Sequence, residues 1–458
     1  MSTSRRSLLI AIVIVLVKCS SLSAQEIPQQ IPGAARVSTN QPAALSYEQA
    51  VRLAIDNNLA TLRAQEQRNE ARGEKQQSLA PLLPNVSGAA YQANLTQNLV
   101  ALGFQPGTIP GFNRTFLGPF KNFDARLLLR QTVFDLSAIR NYQAGNAGVG
   151  TAELQIALAR EQVASGAGLI YLEALRADRS VAAAQANVEL AQALLKLAQD
   201  QRNAGVATGV DVIRAQTRLA EQQVALAQAQ TSSEQARLNL QRVVGLPLGG
   251  SLTLTDQLRF VEEPLPAVDV AVAQAGHDRR EIQVAQERSK VSQLELQSAR
   301  AEYLPSLEVV GDYGSSGITP NSFDLPTRRI ALQLNVPIFN GGLTRGRVTS
   351  ATSRHRQTEL ELANIRGQVE EDVRLALTTL RTAAVQVRAA EESVTLAQRE
   401  LEMARDRFQA GVGDNLEVIT AQTSLANARE AQVTALAQHN AARLNLAAAL
   451  GRAETFRW

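Results

Sequence analysis

Ala236-Arg237-Leu238-Asn239-Leu240 returns, residue for residue, as Ala442-Arg443-Leu444-Asn445-Leu446, at an offset of 206. The same offset joins Ala204-Gly205-Val206 to Ala410-Gly411-Val412, and Ala215-Gln216-Thr217 to Ala421-Gln422-Thr423. Nearer the start, Ala64-Gln65-Glu66 matches Ala285-Gln286-Glu287 and Leu83-Pro84 matches Leu304-Pro305, at an offset of 221. A register held over so much of the chain marks an internal repeat, so the fold is one unit read twice. The fall in offset puts an insertion in the first copy, where Gln97 to Asn122 faces Ser315 to Pro326, and length variation marks a surface loop.

Each unit reads as a helix, two strands, a very long helix and a shorter helix. In the second copy Val268 to Glu302 has helical composition and stops before Pro305, which biases its predecessor away from helix. Leu307, Val309, Gly311 and Tyr313 then alternate with Ser306, Glu308, Val310 and Asp312, the period of a strand. Ile330, Leu332, Leu334, Val336 and Ile338 do the same against Arg329, Ala331, Gln333, Asn335 and Pro337. The first copy parallels this with Asn85 to Asn94, then Ala125, Leu127, Leu129 and Val133 opposite Arg126, Arg130 and Thr132.

Leu136 to Asn203 and Gly342 to Gln409 lack proline over about 68 residues, roughly 100 Å of helix at 1.5 Å per residue. Leu396, Leu401 and Phe408, with alanines between, recur near heptad spacing. Gly166 and Gly168 predict a bend in the first long helix, and Gly145 to Gly150 marks its start. Gly205 and Gly411 suit left-handed C-terminal caps, with Thr208 and Asp414 as N-caps of the returning helices. Each copy therefore presents a helical hairpin with a tight tip.

The predicted boundaries are 1–24 for a signal peptide and 25–44 for an N-terminal extension. The first unit covers 45–244, with strands near 85–95 and 124–134, and 245–267 is a linker that belts the molecule midway. The second unit covers 268–451, with strands near 306–314 and 328–339, and 452–458 is a tail. The signal rests on Arg5 and Arg6, the apolar run Leu8 to Val17 and the small residues Ser20 to Ala24, a run shorter than the roughly 20 residues of a spanning helix. Cleavage is expected near Ser23 or Ala24. The single cysteine, Cys19, falls inside the signal, and Lys18 before it disagrees with a lipid-anchor pattern. Removing Arg5, Arg6 and Lys18 leaves 43 basic against 43 acidic residues, so a basic surface for nucleic acid is not expected.

The strands have the length and alternation of tilted transmembrane barrel strands, yet four strands close no barrel, because bacterial barrels start at eight. The barrel must be shared between chains, and three chains give twelve strands.

Leu83-Pro84 and Leu304-Pro305 before the strands, Val133-Phe134-Asp135 and Ile338-Phe339-Asn340-Gly341-Gly342 after them, and the tips Gly205 to Ala215 and Gly411 to Ala421 stand in an order that resembles the TolC family of outer-membrane efflux proteins. The likeness runs over nearly the whole mature chain. It implies a mainly α fold with a small antiparallel β part: a homotrimer whose twelve-stranded barrel in outer-membrane lipid continues as a periplasmic α-helical barrel. It also implies an exit duct of a tripartite efflux or type I secretion system, docked to a periplasmic adaptor (membrane fusion) protein and served by an inner-membrane pump of RND, ABC or MFS type.

The adaptor-docking tips would be Gly205, Val206, Thr208, Gly411, Val412 and Asp414. Glu417 matches an acidic position lining the narrow periplasmic end in relatives, a ring of three carboxylates that draws cations. Thr420 departs from the next acidic position. Asp211, the first-copy counterpart of Glu417, is expected in interhelical links that keep the end shut; the alternative for both is a first-turn acid favoured by the helix dipole. Six of the eleven phenylalanines, Phe104 to Phe134, suggest an aromatic girdle, a plug over the mouth, or packing among loops.

No enzyme, metal or cofactor is expected. His277, His355 and His439 lack ligand spacing and read as surface residues, and no phosphate-binding loop or nucleophile elbow occurs. The alternative function is a periplasmic coiled-coil adaptor or scaffold, which should show one hairpin and no duplicated amphipathic strands. A duct moves whatever its pump selects, so drug, metal and polypeptide export leave similar sequences here.

Overall fold

The computed structural model describes residues 43–105, 107, 114–262, 264–320 and 325–458; the signal peptide, Cys19 and Phe112 lie outside them. After a short strand β1 (Ala43–Leu45), two helices follow, α1 (Tyr47–Asn57) and α2 (Leu59–Leu79). The expected single helix is thus two. Asn58 leaves helical geometry at ψ 135° and caps the next segment, its Oδ1 accepting from Ala60 N at 2.8 Å. The second half repeats this, with α5 (Val268–Asp278) and α6 (Arg280–Ala301) separated at Arg279, ψ 123°. There the guanidinium reaches the nearby Glu281 and, from far along the chain, Asp372 and the Ala449 carbonyl, which hold the break open.

Strands β2 (Asn85–Asn98) and β3 (Phe116–Phe134) come next in the first half, β5 (Ser306–Gly317) and β6 (Leu325–Asn335) in the second. Strand β3 starts well before the expected 124, running through Pro119 opposite a register shift between Leu95 and Gln97. Strand β6 ends before Val336 and Ile338, because Pro337 has no N–H for a ladder. The four strands form one antiparallel sheet in the order β2-β3-β5-β6, so β2 and β6 are free edges among the described residues.

Register puts the apolar members on one face: Gly88 pairs with Leu127, Leu127 with Tyr313, Val309 with Leu332 and Leu307 with Leu334. That face is bare, with Ile330 83%, Leu332 67% and Leu334 64% exposed. The opposite face carries Asp124, Arg126, Arg130, Glu308, Asp312 and Arg329. Among the described residues Phe104, Phe116 and Phe134 are about half exposed.

The long helices are α3 (Leu136–Asn203) and α7 (Leu343–Gln409), followed by α4 (Gly209–Val244) and α8 (Asn415–Ala449). Contacts order them as α4-α3-α8-α7. Helix α7 buries Val373, Ala376, Leu380, Ala383, Val387, Ala390, Ala397, Leu401, Ala404 and Phe408, in steps of three and four with one whole heptad between Ala390 and Ala397, which makes a coiled-coil seam. Leu396 lies off that seam and is exposed, contrary to its expected place among the core positions.

Helix α3 is continuous through Gly166 and Gly168, and Gly145 to Gly150 lie inside it instead of at its start. At Gly168 the packing explains the residue: a Cβ would sit 2.6 Å from Leu444 Cδ2 and 2.8 Å from the Tyr47 hydroxyl. Around that point lies the main apolar core. Strand β1 pairs in parallel with β4 (Leu252–Leu254) of the linker, and Tyr171 donates to Asp256 at 2.7 Å. Phe456 and Trp458 of the tail meet the Tyr47 ring at 5.7 and 5.8 Å between centroids. Linker and tail therefore clasp the middle of α3.

Candidate functional site

The tips are built by the same local chemistry twice. At the first, Gly205 takes φ 78° and Val206 N donates back to the Gln201 carbonyl at 2.9 Å, closing α3. Glycine fits because a side chain at positive φ is strained. Thr208 then caps α4, and Asp211 Oδ2 accepts from both Thr208 N at 2.8 Å and Thr208 Oγ1 at 2.6 Å, a capping box. Asp211 is buried. The Thr208 hydroxyl bond, helped by its N–H and by Arg214, holds the Asp211 carboxyl below its ordinary pKa although burial opposes this.

At the second tip Gly411 takes φ 71°, and Val412 N and Gly413 N both donate to the Arg407 carbonyl at 3.0 and 3.1 Å. Asp414 caps α8, its Oδ1 accepting from Leu416 N at 3.2 Å. Glu417 is turned to Arg407, with Nε 3.2 Å from Oε2, and both side chains are about half exposed. Thr420 bonds back to the Leu416 carbonyl of its own helix at 2.8 Å.

The two tips lie side by side. Asn415, buried at 4% exposure, donates through Nδ2 to the Asp211 carbonyl at 2.9 Å, and Gln201 Nε2 reaches the Gln409 carbonyl at 3.4 Å. The eight tip positions singled out from sequence are thus brought together, while Asn415, which ties them, was missed. One asparagine just after a cap gives no signal until its partner is placed. Val206, Val210, Ile213, Val412 and Leu416 are exposed on this end, an apolar patch rimmed by polar caps, the signature of an interaction surface.

Two of the three histidines differ from expectation. His277 is exposed, but His355 is half-buried with Nδ1 3.0 Å from Ser292 Oγ, and His439 is buried against Phe260. Ser292 is itself buried and also engaged by Thr358, so the Ser292–His355 pair ties α6 to α7.

This architecture is that of known channels. The chain is 26% identical over 325 residues to the alkaline protease secretion protein AprF of Pseudomonas aeruginosa, a match covering 68% of this chain and 65% of AprF, just under two thirds of that relative. It is 24% identical to the proteases secretion protein PrtF of Dickeya chrysanthemi, over 84% of each. The Campylobacter jejuni CmeC outer membrane channel superposes with a TM-score of 0.78 at 18% identity, over 89% of this chain and 86% of that one, which shows the fold. The outer membrane efflux protein model matches residues 50–246 and 271–452, most of both halves, and the chain belongs to that family.

Proposed function

We propose that this chain is one subunit of a homotrimeric exit duct in the outer membrane, passing substrate from a periplasmic adaptor and an inner-membrane pump of RND, ABC or MFS type to the exterior, in efflux or type I secretion. Family membership removes the adaptor alternative. The observation that carries the reading is that both layers are open arcs of four. The sheet leaves β2 and β6 unpaired under a bare apolar face, and an open edge in lipid leaves backbone groups unsatisfied.

The helical layer is open in the same way, at α4 and α7. Helix α4 bears a second, wholly exposed seam, Val210, Ile213, Thr217, Ala220, Val224, Ala227, Thr231, Glu234 and Leu238, in steps of three and four. Helix α7 bears one of equal length and spacing, Leu375, Thr379, Thr382, Gln386, Ala389, Ser393, Leu396, Glu400 and Met403. Equal length, matching steps and mostly small or apolar side chains suit an antiparallel pairing of α4 with the α7 of a neighbouring copy. The same rotation would pair β6 with a neighbour's β2, three copies giving twelve strands.

In that ring Glu417 supplies three carboxylates at the narrow end, restrained by Arg407. Asp211 fixes the tip through Thr208 and, through its carbonyl, links the two hairpins. Gly205, Val206, Thr208, Gly411, Val412 and Asp414 present the face to which an adaptor docks. The test is native separation of the outer-membrane fraction, heated and unheated. A heat-sensitive species of three chain masses supports the duct; a soluble periplasmic monomer or an inner-membrane location overturns it.

A further inference from the structure

The polar face of the sheet is formally neutral, with three carboxylates and three guanidinium groups, but the two signs are not equally presented. Asp124, Asp312 and Glu308 keep 9%, 5% and 27% of their side chains exposed. Arg130 and Arg329 keep 72% and 71%. The acids lie beneath the arginines. Arg126 spans Asp124 and Asp312, with Nη1 3.2 Å from Asp312 Oδ1, and Ser316 Oγ donates to Asp124 at 2.8 Å. Arg329 gives only Nε to Asp312, at 2.9 Å, and Arg130 stands 3.7 Å from Glu308.

A guanidinium has five N–H donors, and a buried acid that holds one or two leaves the others free for solutes. Strand β6 is a free edge, so Arg329 would face a neighbour's β2 across the seam. The same face of β2 offers Asn85, Ser87, Ala89 and Tyr91, none of them acidic, so nothing there would cancel it. A closed barrel turns its bare apolar face to lipid and therefore this face to the lumen.

We propose that the barrel lumen is an arginine-lined site for anionic groups, the carboxylates or phosphates of passing cargo, held by the free donors of Arg130 and Arg329. This rests on the trimeric duct reading and adds a substrate chemistry to it. Planar guanidinium groups take such oxyanions in two-bond geometry, whereas Asp124 and Asp312 below them are too covered to take cations. The duct then carries opposite preferences at its two ends, carboxylates at the periplasmic tips and arginines in the membrane.

The test uses the purified full-length protein in planar lipid bilayers, with citrate and, separately, spermine added on the side of the loops that join β2 to β3 and β5 to β6. Citrate should block single-channel current from that side and spermine should not. The double variant Arg130→Gln, Arg329→Gln should weaken the citrate block about fivefold or more. Arg130→Lys, Arg329→Lys keeps the charge but not the two-bond geometry and should fall between, which guards against a variant that fails to assemble. A conducting trimer indifferent to citrate, or blocked equally in the double variant, overturns the lumenal site and leaves the duct intact. Absence of any conductance from a correctly inserted protein overturns both.

Discussion

The long helices α3 and α7 match in length to within one residue, 68 and 67, yet they live in different surroundings. Helix α3 packs against α1, α2, α4, α6 and α8, and its middle is sealed by Tyr47, Leu444 and the tail. Helix α7 packs on α5, α6 and α8, and below the sheet it uses a single heptad seam, leaving its other flank bare. A repeated sequence therefore need not give two equivalent halves. Helix α3 lies in the interior of the subunit and α7 at one of its borders, and a border of exposed, regularly spaced, mostly small or apolar residues is unfinished without a neighbour.

The largest expected effect lies in the middle of α3. Gly168→Val should drive side-chain atoms into Leu444 and Tyr47 and cost about 3 kcal/mol or more, read as lost trimer after mild heating. At the matching place in α7, offset by 206, stands exposed Arg374, and Arg374→Val should leave the trimer's melting temperature within a degree or two. Equal losses at the two places would mean that the two long helices have equivalent surroundings.

Next come the two sides of α7. Leu401→Ala empties a buried seam position and should cost about 2 to 5 kcal/mol of unfolding free energy in denaturant. Leu396→Ala with Met403→Ala should change secondary-structure melting little but lower the temperature at which trimers separate into chains. A drop in both measurements for both variants would mean that α7 has one cohesive surface, not an inner and an outer one.

The tips give the smaller effects. Asp211→Asn removes half of the capping box and should cost about 1 kcal/mol, seen as faster hydrogen exchange over residues 205–215. Because the folded carboxyl has a lowered pKa, its contribution is present above the ordinary aspartate value near 4 and is lost as pH falls through the lower folded one. Wild-type exchange at this tip should therefore quicken only in that acid range, and the Asp211→Asn tip should show no such step. Glu417→Gln, at an exposed pair, should leave stability unchanged while raising single-channel conductance or reducing its sensitivity to cations. An unchanged channel removes Glu417 from the gate and leaves the fold as it is.

The elements that sequence reveals are those whose cause is local. Helix α3 runs from Leu136 to Asn203 as read, because Asp135 and Gly205 punctuate it, and Thr208 and Asp414 cap as expected for the same reason. Alternation named the two faces of β5 and β6 before any pairing was known. What was not legible depended on distant partners. The break at Arg279 is made by Asp372 and Ala449, and burial of His439 by Phe260. Leu396 and Leu401 look alike along the chain and part only once α8 chooses a side. Pro119 argues against a strand, yet β3 passes through it where the register shifts.

The free edges β2 and β6 also carry a genetic consequence. If each ring closes only when every β6 meets a sound β2, a chain spoiled at one edge still offers the other, so it enters rings and ruins them. With equal amounts of spoiled and normal chains drawn at random into threes, only about one ring in eight would contain normal chains alone. Edge lesions should therefore act dominantly over a normal copy in the same cell, whereas lesions that unfold α3 early should remain recessive.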